Sequence, residues 1–170
     1  RPGTRPMDMR RMDGRQHGFT LIEIMVALAI VALLAAMAIP GLTNSIVRKQ
    51  VIEAVPLADI AKQAVAQSWA TVQALPADNA GAGLPPPDKI VNNYVSSVAL
   101  QAGAIQITFG NSANGMIAGK ILTLRPAIVV AAPVVPVAWV CAGAPVPGGM
   151  TVVGEDLTNL PPSVLPFNCH

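Results

Sequence analysis

Gly18-Phe19-Thr20-Leu21-Ile22-Glu23 stands between an arginine-rich segment and the apolar run IMVALAIVALLAAMAI over residues 24–39. Phe19 to Ile39 is 21 residues, about 31 Å of α-helix, which matches a bilayer core of roughly 30 Å. Upstream, residues 1–17 carry Arg1, Arg5, Arg10, Arg11 and Arg15 against Asp8 and Asp13. Such a basic flank predicts a cytoplasmic N-terminus. A secretory signal has a shorter apolar core, with its cleavage site on the far side after small residues. Ala36-Met37-Ala38 imitates such a site. Against that reading stand the spanning length, the carboxylate at the start of the run and an amphipathic pattern beyond it. Glu23 is the informative residue. A carboxylate in a membrane helix costs a few kcal/mol unless compensated and marks a functional position; the plainer alternative is a Glu tolerated at the interface.

The rest of the chain sets bounds on this reading. Its 170 residues suffice for one modest domain plus a helix. Hydrophobic residues make up 52% and charged residues 12%, too apolar for an ordinary soluble domain. After residue 76 the chain is too polar for a polytopic membrane protein. Beyond residue 17 there are six Lys or Arg and seven Asp or Glu, a net charge near −1. Bulk charge there gives no support for nucleic-acid binding, and few aromatics are present for base stacking. The chain opens on Arg1, so its start is expected upstream or at Met7, Met9 or Met12.

Past Pro40-Gly41, Val51, Val55, Ala58, Ala61, Val65, Trp69 and Val72 recur at steps of three or four. The pattern predicts a helix over about 20–75, apolar all round at first and then carrying one apolar stripe. Pro40 and Pro56 lack the N–H that a helix interior needs and are expected to kink or loosen it, while Pro76 is a plausible stop. Residues 76–89 read as a Pro/Gly/Ala loop. Residues 90–103 are ambiguous, a short helix being one reading. Strands are expected at Ala104–Phe109, Lys120–Arg125 and Val134–Cys141, with Asn114-Gly115 between the first two as a hairpin signal. Pro133 and Pro136 argue that the third strand starts late or lies at an edge. The remainder is Pro/Gly-rich and irregular.

On residues 18–23 and their context, the chain resembles the prepilin site of type IV pilins and related pseudopilins. The resemblance covers residues 18–75 firmly and the later strands loosely. It implies cleavage after Gly18 by a membrane aspartyl prepilin peptidase and N-methylation of the new N-terminal Phe19. Glu23 is then the partner of the Phe19 amine of a neighbouring subunit, a pairing that is strong in a low-dielectric filament core. Ala27, Ala29, Ala32, Ala35, Ala36 and Ala38 permit close helix approach, although plain membrane composition gives the same pattern. Pro40, with Gly41 after it, stands where family members carry a helix-breaking proline.

The two cysteines, Cys141 and Cys169, fall in the part expected outside the cytoplasm, where disulfides persist in a Gram-negative cell. A bond would close about 29 residues and add roughly 3.5 kcal/mol in chain-entropy terms. Free thiols or a metal site are the alternatives, and Cys169-His170 with one distant Cys is poor zinc spacing. The resemblance favours the disulfide, since type IV pilins have a C-terminal region bounded by one. Pseudopilins more often lack it, and their major form has a calcium site. Glu155 and Asp156 are not a dense oxygen-ligand cluster, so no metal or other cofactor is expected. No catalytic constellation is visible: His17 and His170 lie at the leader end and the C-terminus.

The expected fold is α+β: a long N-terminal helix, membrane-spanning in its first half, against a small antiparallel sheet with a disulfide-closed C-terminal loop region. The expected parts are a basic leader (1–18), a transmembrane and filament-core helix (19–40) and its amphipathic continuation (41–75). An αβ loop (76–103) and the sheet with the C-terminal region (104–170) follow. The expected function is a structural subunit of a type IV pilus, and no enzyme. Its alternative is a minor pilin or pseudopilin of a type II secretion or DNA-uptake system. Expected partners are further copies in a helical filament, the prepilin peptidase, the inner-membrane assembly machinery and, before assembly, the membrane. The precursor is expected in the inner membrane with its globular part periplasmic, and the assembled form outside the cell. The resemblance leaves motility, adhesion, DNA uptake and secretion open as uses of the filament.

Overall fold

The computed structural model describes residues 18–170, apart from the side chains of residues 39–41. The expected leader arginines and His17 lie outside the described residues. The described chain divides into two compact units, one ending at Ile39 and the other comprising residues 40–170.

Helix α1 runs over Leu21–Ala54 and α2 over Asp59–Val72, with a 3-10 turn at Val55–Ala58 between them. Pro56 accounts for that turn: without an N–H it cannot continue the α-helical ladder, and the tighter turn carries the chain past it. The backbone stays helical through Pro40 and Gly41. Gln73 ends α2 in the left-handed region (φ 54°), its N–H donating to the Trp69 carbonyl at 3.1 Å. The helix therefore stops short of the Leu75-Pro76 end read from the sequence. This left-handed cap does what a C-terminal glycine usually does.

In the second unit the helices bury one stripe: Val47, Val51, Ala54, Ala58, Ala61, Val65 and Trp69. Val72, expected on that stripe, is exposed instead, because it lies one turn past the last buried position. Opposite lies an antiparallel sheet of β1 (Val95–Gln101), β2 (Ala104–Phe109), β3 (Ile121–Ile128) and β4 (Ala138–Cys141), in that spatial order. A short β5 (Thr151–Val152) pairs with the end of β3. Ile105, Ile107 and Phe109 of β2, with Leu122 and Leu124 of β3, meet the helical stripe in one apolar core.

Three strand expectations change. Residues 90–103, open to a helical reading, contain the edge strand β1. A bulge between Val95 and Ser97 breaks its alternation and leaves Val95, Val98 and Leu100 all inward. Strand β3 continues to Ile128, past Arg125. The third expected strand starts at Ala138, not Val134, and lies at the sheet edge, consistent with Pro133 and Pro136 before it.

Beyond β4, Cys141 is disulfide-bonded to Cys169. The returning chain is pinned beside β3. The Leu157 N–H donates to Thr123 Oγ1 (3.0 Å), and the Thr123 N–H to Thr158 Oγ1 (3.0 Å). Thr123 is fully buried, and its hydroxyl donates to Gln106 Oε1 at 2.6 Å. Gly154 (φ +92°) is required here, since a Cβ would come within 2.6 Å of the Ala104 Cβ. Arg48 on α1 holds the far end. Its Nη2 donates to the Ser163 carbonyl at 2.7 Å, and its guanidinium lies 4.7 Å from the Phe167 ring centroid, a cation–π contact.

Candidate functional site

The candidate site is the start of α1. Gly18, Phe19 and Thr20 are non-helical, and all three are exposed. The Thr20 carbonyl accepts the first helical bond, from the Ile24 N–H at 3.3 Å. Its hydroxyl accepts the Glu23 N–H, also at 3.3 Å. Thr20 is therefore the N-cap, a role that the sequence reading missed. The signal was present: Thr20-Leu21-Ile22-Glu23 has the Thr-x-x-Glu spacing of a capping box. The cap satisfies one donor that every helix start leaves unpaired. It also places Glu23 in the first turn, where the helix dipole favours a negative charge.

Gly18 has no structural duty in the fold. A Cβ added there meets nothing within 4 Å, so the chain itself would accept a larger residue. Phe19 is 77% exposed. Glu23 is exposed too, and the ion pairs among the described residues, Lys62–Asp59 and Lys89–Asp88, do not involve it. From Leu21 to Met37 every large apolar side chain is at least 45% exposed, that of Met37 81%. A soluble helix buries one apolar face; this segment, apolar all round, has none covered by its own chain. It is long and apolar enough to cross a membrane.

The other expected site residues belong to the second unit. The side chains at Pro40-Gly41 are outside the described ones. Cys141 and Cys169 close the C-terminal region of the second unit, both nearly buried. Asp156 takes part in a local turn, its Oδ1 accepting the Thr158 N–H at 3.0 Å. The arrangement has the chemistry of a docking element: a helix with an uncovered apolar surface and one carboxylate near its N-terminus.

Residues 47–170 match the pilin family of bacterial filaments, and residues 13–39 match the prokaryotic N-terminal methylation motif. The chain is 36% identical over 166 residues to the type IV major pilin protein PilE1 of Neisseria gonorrhoeae, covering 94% of this chain and 89% of that one. It is 40% identical over 114 residues to the fimbrial protein EcpC of Eikenella corrodens, with 65% and 74% covered. To the type IV major fimbrial protein FimA of Dichelobacter nodosus it is 47% identical over 57 residues, 34% and 36% of the two chains.

Proposed function

This chain belongs to the type IV pilin family and is a structural subunit of a pilus filament; on that premise we propose how residues 18–23 and the helix after them carry out processing and assembly. The peptidase cuts between Gly18 and Phe19. Gly18 faces no constraint from its own fold, so its value lies in the narrow protease cleft that it must enter. The cut removes the basic leader and creates a charged amine at Phe19, which is then N-methylated. The apolar helix stays attached, first as the inner-membrane anchor, with the globular part in the periplasm, and then as filament core.

In the filament, Glu23 receives the Phe19 amine of a neighbouring copy. The pair sets axial register as well as adding affinity, because an unpaired carboxylate in an apolar core is strongly unfavourable. Pro40 leaves the Ala36 carbonyl without its helical donor, so the helix loosens there within the filament, helped by Gly41. The inner-membrane assembly machinery is the partner with which the anchored subunit passes into the filament. The full-length likeness to a major pilin supports the abundant subunit over a minor one.

The uncovered helix surface from Leu21 to Met37 is the observation that carries this reading. Mass spectrometry of filaments sheared from the cell surface tests it. The expected species starts at N-methyl-Phe19 and weighs two hydrogens less than its reduced form. A mature N-terminus at Ile39 would mean that the helix is a discarded secretory signal.

A further inference from the structure

The sheet of a filament subunit poses a problem that the helix does not. Strand β1 is an edge, and an edge presents unpaired N–H and C=O groups to any strand that approaches. Copies packed side by side in a polymer meet at very high local concentration. In this chain the free edge of β1 is closed by a side chain. The Leu100 N–H donates to Asn79 Oδ1 at 2.7 Å, and Asn79 Nδ2 donates to the Val98 carbonyl at 3.1 Å. One amide thus occupies both positions that a residue of an added parallel strand would take. The second Nδ2 hydrogen goes to the Pro85 carbonyl at 3.0 Å, which fixes the amide to its own loop. Asn79 is 5% exposed. Further along, Ala102 and Gly103 donate their N–H groups to the carbonyls of Ala77 and Pro76, both at 2.9 Å.

The same device recurs on the other side of the sheet. Where β4 leaves β3, the Ile121 N–H donates to Asn159 Oδ1 (2.7 Å) and the Thr123 N–H to Thr158 Oγ1 (3.0 Å). The outer strand β4 has only four residues, too short an edge to template much pairing.

We propose that Asn79 is an assembly-specificity residue: its amide closes the β1 edge so that copies join through their helices and not by strand pairing. The proposal rests on the filament-subunit reading above. Its test uses the full chain, in its host for filament yield and in detergent for self-association. Asn79→Ala removes the amide. Asn79→Gln keeps it but displaces it by one methylene, and serves should the alanine variant fail to fold. The expected results are hydrogen exchange at Leu100 about tenfold faster, thioflavin-positive oligomers in detergent, and fewer filaments. Adding Ser97→Lys, a charge on the edge strand, is expected to restore filaments and abolish the oligomers while Leu100 exchange stays fast. Normal filament yield without oligomers in the Asn79 variants would overturn the proposal. So would a loss of filaments that Ser97→Lys fails to repair, because Asn79 would then only support the fold. Absence of filaments from the unaltered chain would instead sink the subunit reading itself.

Discussion

Replacing both Cys141 and Cys169 with Ser separates what the disulfide holds from what the hydrogen bonds hold. The cysteines are 28 positions apart. Freeing a loop of that size returns roughly 3.5 kcal/mol of conformational entropy to the unfolded chain, a fall in Tm of roughly 10–15 °C for a domain of this size. The loss should not be uniform. The inner part of the loop is tied to β3 by four bonds of 2.7–3.1 Å, linking Ile121 and Thr123 to Leu157, Thr158 and Asn159. The outer part depends on Arg48 bonding the Ser163 carbonyl, on buried Val164 and Leu165, and on the disulfide itself. Hydrogen exchange followed by mass spectrometry on the detergent-solubilised full chain reads both parts at once. In the double Ser variant the amides of Ile121, Thr123 and Leu157 should stay slow, while that of residue 169, bonded to the Pro166 carbonyl, should become fast. If all of them exchange at one new, fast rate, the disulfide is what docks the whole segment, and the role assigned to the hydrogen bonds is wrong.

Three other substitutions probe the filament pairing, the C-terminal loop and the core separately. Glu23→Val should leave membrane insertion and cleavage largely intact but cut the yield of sheared filaments by about a hundredfold or more, the scale set by the roughly 3–5 kcal/mol lost on breaking a desolvated ion pair; normal yield with this variant as sole pilin would refute the pairing. Gly154→Ala combines a disfavoured backbone region with a 2.6 Å approach to the Ala104 Cβ, and should cost about 2 kcal/mol or more in denaturant unfolding. Ile107→Ala removes a fully buried side chain from the centre of the sheet, and should cost about 2–5 kcal/mol without changing the cleavage site.

The long helix and strand β2 could be read directly from the sequence, because their apolar periods are regular and each is bounded by turn residues. Strand β1 could not. Its bulge sets Val95 and Val98 on the same face with two serines between them, so the period of two is broken at the point where it would be counted. The late start of β4 was foreshadowed by Pro133 and Pro136. The cap at Thr20 is written in its three-residue spacing to Glu23. The cysteine pairing was suggested by family resemblance, since the spacing of two cysteines alone also admitted free thiols. Asn79 gave no local signal at all: its partners in β1 are 19 and 21 positions away, and only the folded chain brings them together.

The two units treat their bonding surfaces in opposite ways, and that contrast bears on how a single chain becomes a filament. From Leu21 to Met37 no large apolar side chain is buried: a continuous apolar surface with one carboxylate at its head is left for other molecules to satisfy. In the second unit the outer side of β1 is closed by Asn79 and the stretch of β3 that β4 leaves bare by Thr158 and Asn159, while the outer strand β4 has only four residues. Apolar burial is non-directional, so the helix alone would favour association in many registers. Glu23 narrows these, because a register that strands its carboxylate in the filament core is penalised. Edge pairing is directional but indifferent to which chain supplies the strand, and here it is blocked. A polymer of defined geometry therefore needs both features. The helix supplies the drive and Glu23 the register, while the closed edges remove the competing mode that high local concentration would otherwise favour.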